Sequence, residues 1–386
     1  MWNLQNYISI PSYNDDTNEN LQLLFSLREL EGSTNVSLGF APLDKLLDVF
    51  RDPPLTRQQQ QLQHTQWSTQ HQVPSPAREK PLPVVEITGA AACSGKTQLL
   101  YHLVSLALLP AEYNGLYKFG KGSAVVLFDL SSKFSILRLY DVMQTLVSSI
   151  CSITSSKLGE QDMSALISDS LTHLHIFRPQ SFSSVLATLA TLPAYLLAQP
   201  STHFSTNRPL GLLALNDLSS FLWQDRQDAD EEAGIPTNVH AEKANNSVLL
   251  QRYRTLVSIL RDIQHRFSCT IVATNWGLSP ATSKAGHRAL RRNLPSVWNN
   301  FCTVNVVVER DRIRKFGPGM SIEEALKEGP HRWEAVAKSG FSAWVNWWGS
   351  EGWKEEVREG VKGLEMEGCF TFRVTEKGLE FGDDED

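Results

Sequence analysis

Gly95-Lys96-Thr97 closes a run of small side chains, Gly89-Ala90-Ala91-Ala92-Cys93-Ser94, and Gln98 follows. Small residues let successive backbone N–H groups close around phosphate oxygens. A lysine at this spacing reaches the β- and γ-phosphates of a nucleotide, and the next hydroxyl holds Mg²⁺. The nucleotide-binding candidates are therefore Gly89, Ala90, Ala91, Ala92, Cys93, Ser94, Gly95, Lys96, Thr97 and Gln98, with ATP and Mg²⁺ as the implied ligands. The pattern departs from the usual loop at one position. The first glycine normally lies six residues before the lysine, where this chain has Ala90; Gly89 stands one residue early. Either the loop is one residue longer, or Ala90 takes a less comfortable backbone angle.

Such a loop works only between a strand and a helix. Val84 to Thr88 is a mostly apolar run, and Gln98 to Leu109 is amphipathic until Pro110 stops it. A helix starting here adds N–H donors and a partial positive charge to the phosphate site. Downstream, short apolar runs alternate with longer helical patterns. The strands expected are Ser123 to Leu130, His173 to Phe177, Leu210 to Leu215, Cys269 to Ala273 and Phe301 to Val308. The helices expected are Phe134 to Ile150, Phe182 to Leu197 with Pro193 inside, and Ser247 to Phe267, the clearest. That alternation predicts an α/β fold, a mostly parallel central sheet flanked by helices. Ligands in such sheets sit at the carboxyl ends of strands, where Asp129, Asn216-Asp217 and Thr274-Asn275 stand.

At 386 residues the chain can bury a sizeable core, and its net charge of −6 excludes a generally basic nucleic-acid coat. The five cysteines are scattered without a CxxC pair, which points to a reducing compartment and no zinc site. No signal peptide and no membrane span are expected. The expected organisation is an N-terminal segment over 1–51, a glutamine- and proline-rich disordered linker or insertion over 52–83, a nucleotide-binding core over 84–316, and a tryptophan-rich elaboration over 317–386. A short helix is expected around Leu21, Leu24 and Phe25, and a turn into a helix at Gly39 to Leu47. Tyr113 to Gly122 and the acid-rich 224–246 read as loops, Gly317 to Gly363 as irregular, and Cys369 to Phe381 as a closing hairpin before an acidic tail.

Ile87 to Leu103 resembles the ATP-binding core of the RecA-like strand-exchange recombinases, and within them the eukaryotic recombinase paralogues. Three further stretches agree in order: Val126 to Asp129 with Phe134 and Leu137-Arg138-Leu139, Leu212 to Arg226, and Ile271 to Asn275. The resemblance covers about residues 84–310. It implies a RecA-like P-loop NTPase core and homologous-recombination repair of DNA double-strand breaks. It also implies the nucleus, and a hetero-oligomeric complex with other recombinase paralogues, with single-stranded or branched DNA as a further partner and no membrane.

The resemblance also locates where hydrolysis would fail. The metal-linked aspartate of the family falls on Asn216, with Asp217 one residue later. The carboxylate that activates water falls on Ser131, and a serine cannot act as that base. The glutamine that senses the γ-phosphate falls on Trp276. Catalytic residues are therefore unassigned, with Asp129 and Asp217 as candidates, and Thr97 with Asp217 is the expected metal pair. This favours an ATP-binding accessory subunit with weak or absent hydrolysis. The alternatives are an active P-loop ATPase or kinase, and an interaction-only scaffold with a vestigial nucleotide site. Of two loops where recombinases hold DNA, the first is acidic here. The second, Trp276 to Asn300, offers Lys284, Arg288, Arg291 and Arg292 as DNA-binding candidates, with Trp276 and Trp298 for stacking. The tryptophans between 333 and 353 are expected to pack in their own domain, with one of Trp347-Trp348 facing outward.

Overall fold

The computed structural model describes residues 37–53, 82–117, 119–153, 158–197, 207–232, 239–283, 286–313 and 316–381. The expected helix around Leu21, the glutamine-rich stretch over 54–81, Lys284 and the acidic tail lie outside the described residues.

The strands in chain order are β1 (Val84–Gly89), β2 (Glu112–Tyr113), β3 (Leu116–Tyr117), β4 (Ala124–Asp129), β5 (Leu174–Phe177), β6 (Leu210–Asn216), β7 (Thr270–Thr282), β8 (Arg288–Arg292), β9 (Val304–Arg310), β10 (Phe341–Val345), β11 (Phe370–Val374) and β12 (Leu379–Glu380). The helices are α1 (Ala41–Arg51), α2 (Lys96–Leu108), α3 (Ile136–Ile153), α4 (Glu160–Leu171), α5 (Phe182–Leu196), α6 (Leu222–Glu232), α7 (Val239–Phe267), α8 (Ser296–Phe301), α9 (Ile322–Lys338) and α10 (Glu355–Lys362). One sheet carries the order β12-β11-β10-β9-β1-β7-β6-β4-β5, with β8 attached to β7. The five strands from β1 and β7 through β6 and β4 to β5 pair in parallel, as does β9 with β1; β10, β11 and β12 extend the edge antiparallel. The fold is thus α/β with a mostly parallel central sheet flanked by helices, consistent with a RecA-like core.

Because β1 and β4 are covered on both faces, every residue of each is buried, which explains their continuous apolar runs. Alternate side chains feed two cores. Val85, Ile87, Val125 and Leu127 face α2 and α3, while Val84, Val126 and Phe128 face α5 and α7. α7 presents Leu249, Tyr253, Leu256, Leu260, Ile263 and Phe267 to the second core at helical spacing.

The structure corrects the sequence reading in several places. The acid-rich stretch from 224 is helical in α6, and helix resumes at Val239. Asp225, in the first turn of α6, forms a 2.8 Å ion pair with Arg252 on α7, so one of the acids is a buried tie between helices. The expected loop from Trp276 is a hairpin, because β7 runs on to Thr282 and returns as β8. Gly317 to Gly363 is ordered as α9, β10 and α10. The start of α9 carries a reciprocal cap, Ser321 accepting from the Glu324 N–H while Glu324 accepts from the Ser321 N–H. α4 was not anticipated, and the 112–117 stretch forms a small two-stranded ribbon. α3, at 18 residues, is long and apolar enough by length and composition to cross a membrane. It carries Arg138 and Asp141, and its Leu139, Val142, Met143 and Val147 belong to the core. Trp344 and Trp347 are buried, Trp353 packs against the core, and Trp348 faces outward. Trp333 is exposed, contrary to expectation.

The carboxylate of Glu86, in the middle of β1, is wholly buried. It accepts hydrogen bonds from Asn275 (3.0 Å), Trp298 Nε1 (3.2 Å), Asn305 (2.6 Å) and the guanidinium of Arg292. Burial alone pushes its pKa up, but the Arg292 charge and these hydrogen bonds outweigh it and hold the pKa below the ordinary 4.5. A depressed carboxylate contributes stability that is complete above its ordinary pKa and is lost as the pH falls below it. Glu86→Ala leaves Arg292 buried without its counter-charge. Urea unfolding at pH 7 is expected to show a loss of about 3–5 kcal/mol. The double change Glu86→Leu with Arg292→Met should lose far less; equal losses would show that the charge pairing is not what matters.

Candidate nucleotide site

The loop from Ala90 to Ser94 leaves the sheet at the carboxyl end of β1, where Gly89 lies in register with Trp276 of β7. α2 begins at Lys96 with Gly95 before it, at φ 94°. Gly95 is required twice over. Its backbone angle disfavours a side chain, and a Cβ there would lie 2.8 Å from Phe341 of β10. Gly89 is required by proximity, since a Cβ would lie 2.2 Å from Ser94 Oγ. The uncomfortable angle in the loop falls on Cys93, at φ 55°, and not on Ala90. Gly95 supplies no side-chain cap, so the first N–H groups of α2 are left for an outside acceptor.

Lys96 Nζ donates to Ser94 Oγ at 3.2 Å and lies 4.5 Å from the centroid of the Trp276 ring. Burial, the largest influence, lowers the ammonium pKa below its ordinary value, while the charges of Asp217 and Cys93 act in the opposite sense. Lys96 is thus a partly desolvated cation framed by an aromatic face and a hydroxyl. Gln98, in the same first turn of α2, accepts from Arg138 of α3. Arg138 also donates to the carbonyls of Thr375 and Glu376, in the turn between β11 and β12.

The strand-end residues form a chain of hydrogen bonds across β4, β6 and β7. Asn216 donates from Nδ2 to Asp129 Oδ1 (3.1 Å) and accepts at Oδ1 from the Thr274 hydroxyl (3.0 Å). The Asp217 N–H donates to the same Thr274 oxygen (2.8 Å). Asn216 therefore bridges two neighbours through both ends of its amide. Asp129 is wholly buried and also accepts from the N–H groups of Phe134 (3.0 Å) and Lys133 (3.2 Å) and from Arg178 Nε (3.3 Å). That donor set holds the start of α3 against the sheet. Arg178, which the sequence reading did not single out, is its ion-pair partner. β6 ends at Asn216, and Asp217 begins the following turn at φ 62°. Its Oδ1 accepts from Ser219 Oγ at 3.3 Å. Ser131 lies 3.5 Å from Asn216 Nδ2. Among the described residues no group of three or more His, Cys, Asp or Glu could hold a metal ion. Thr97 is the second residue of α2, and Asp217 stands in the turn after β6.

The basic candidates on the hairpin fare differently. Arg292 is 9% exposed and paired with Glu86, and Arg288 pairs with Glu309 and lies 4.5 Å from the Trp344 ring. Arg291 is exposed. Trp298 is wholly buried, with its N–H on Glu86, so the expected stacking role for it does not hold. A lone acid inside the apolar β1 run was the one available signal that a basic partner such as Arg292 would be drawn inward. Asp129→Ala would remove the acceptor shared by four donors, two of them the N–H groups of Lys133 and Phe134, and a stability loss of about 3 kcal/mol is expected in chemical unfolding. An unchanged midpoint would remove its structural role.

No protein-family model matches the chain. It is similar to the DNA repair protein XRCC2 of Mus musculus, 26% identical over 221 residues, covering 56% of this chain and 69% of the mouse protein. It is also similar to the DNA repair protein XRCC2 homolog of Arabidopsis thaliana, 24% identical over 262 residues, covering 59% of this chain and 68% of the plant protein. These two similarities, together with the parallel sheet and the strand–loop–helix at its centre, support an XRCC2-like paralogue of the RecA family.

Proposed function

We propose that this chain is a nucleotide-holding accessory subunit in DNA repair by homologous recombination, acting in the nucleus beside other recombinase paralogues. The repair role rests on its similarity to the two XRCC2 proteins. The nucleotide role rests on one observation: the Gly89–Thr97 loop opens at the carboxyl end of β1 with the Lys96 ammonium facing Ser94 and Trp276. Backbone N–H groups of the loop and the start of α2 would take phosphate oxygens. Lys96 would supply the positive charge, and Thr97 with Asp217 would face Mg²⁺, whose chemistry is to neutralise and orient the phosphates.

The same geometry argues against rapid turnover. Activation of water needs a carboxylate with a free lone pair near the terminal phosphate. Asp129 spends its oxygens on four donors, Asn216 is tied at both ends, and Ser131 carries no base. The nucleotide then serves as a structural ligand that sets the surface offered to partner subunits. One observation favours a scaffold with a vestigial site instead: Lys96 already has partners within the chain.

Calorimetry with ATP and ADP in the presence of Mg²⁺, on the natural protein and on Lys96→Ala, separates these readings. Binding that weakens roughly 100-fold in the variant, about 2.7 kcal/mol, with negligible phosphate release, is the expected outcome. Rapid release by the natural protein would establish an ATPase, and no binding by the natural protein would leave the scaffold.

A further inference from the structure

Trp276 is the residue of the site whose type is least expected. It is 37% exposed, at the carboxyl end of the buried part of β7 and in register with Gly89. Its backbone N–H is held by Ser219 Oγ at 3.3 Å and by Asn275 Oδ1 at 2.8 Å. Both anchors are buried, and Asn275 is itself fixed on Glu86. The indole is therefore fastened at its base, with its face 4.5 Å from Lys96 Nζ. An ammonium in this arrangement gains an electrostatic attraction to the ring.

This position matters for the ligand. The lysine of a phosphate loop ordinarily bridges the β- and γ-phosphates. Here Ser94 holds Nζ on the loop side, and the ring holds it on the β7 side. A β-phosphate can be taken by the loop N–H groups and Lys96 with the ring in place. A γ-phosphate needs the part of the ammonium that the indole covers, and it brings added negative charge against a ring face that repels anions.

We propose that Trp276 makes this a site for nucleoside diphosphates in preference to triphosphates. The proposal rests on the nucleotide-binding reading above and adds which nucleotide the loop holds. A subunit of this kind stays loaded with the diphosphate and does not cycle with hydrolysis, since the bound species has no bond left to cleave at the γ-position.

The test is calorimetric titration of ADP and of the non-hydrolysable triphosphate analogue AMP-PNP, each with Mg²⁺, into the natural protein, Trp276→Gln and Trp276→Phe. The natural protein is expected to bind ADP roughly 2- to 30-fold more tightly than the analogue, the span set by the strength of a cation–aromatic contact. Trp276→Gln is expected to erase or reverse that ratio, and Trp276→Phe, which keeps an aromatic face, to retain part of it. A ratio unchanged in Trp276→Gln, or tighter analogue binding by the natural protein, overturns the proposal while leaving the nucleotide site intact. No binding of either nucleotide to the natural protein overturns the site reading, and the preference with it.

Discussion

A carboxylate in the middle of a buried strand cannot stay charged without partners, and the partners of Glu86 come from four separate elements. Asn275 belongs to β7, Arg292 to β8, Trp298 to α8 and Asn305 to β9. Each must be in place for the charge to be compensated, so the register of β1 with both neighbours and the inward fold of the β7–β8 hairpin are fixed together. β1 leads into the Ala90–Ser94 loop and β7 delivers Trp276. One electrostatic requirement, three residues below Gly89, thereby determines how the two sides of the site face each other.

A second polar arrangement runs across the strand ends from Asp129 through Asn216 and Thr274 to the Asp217 backbone. It is built from the residue types that do metal and proton chemistry in related sheets, yet its hydrogen bonds are nearly all internal. The amide of Asn216 suits this better than an acid would, because it donates to Asp129 and accepts from Thr274 at once. The side chains that could have been reagents are structural cross-ties, and Asp217, turned by its left-handed backbone, stands half-buried beyond them.

Much of this was legible in the sequence. The α/β class and the mostly parallel sheet follow from alternating apolar runs and helical stripes, and the loop is marked by Gly95-Lys96-Thr97. What could not be read were features set by distant partners. Ala90 looked like the misfit of the loop, but the strain sits on Cys93 and the spatial need on Gly89, because Ser94 folds back over it. The acids after Leu222 look like a solvated loop until Arg252, on the next helix, is available to pair with Asp225. Arg292 looks like a surface cation until Glu86 is seen to be buried. Periodicity reports which face of an element is apolar; it does not report which charge will be neutralised by which.

The antiparallel edge bears on how the site comes into being. Phe341 of β10 stands where a Cβ on Gly95 would be, its ring stacks on Phe372 of β11 at 5.4 Å, and Arg138 joins Gln98 to the β11–β12 turn. The start of α2 is therefore seated on strands that lie far along the chain from the loop itself. During synthesis the loop sequence emerges long before these contacts can close, and closing them requires the slowest kind of pairing, between segments far apart along the chain. A nascent chain released before β10 would carry every residue of the loop motif without the packing that shapes it. The shape of the loop is thus settled by pairing between distant segments, and it is acquired only once the antiparallel edge has folded onto the start of α2.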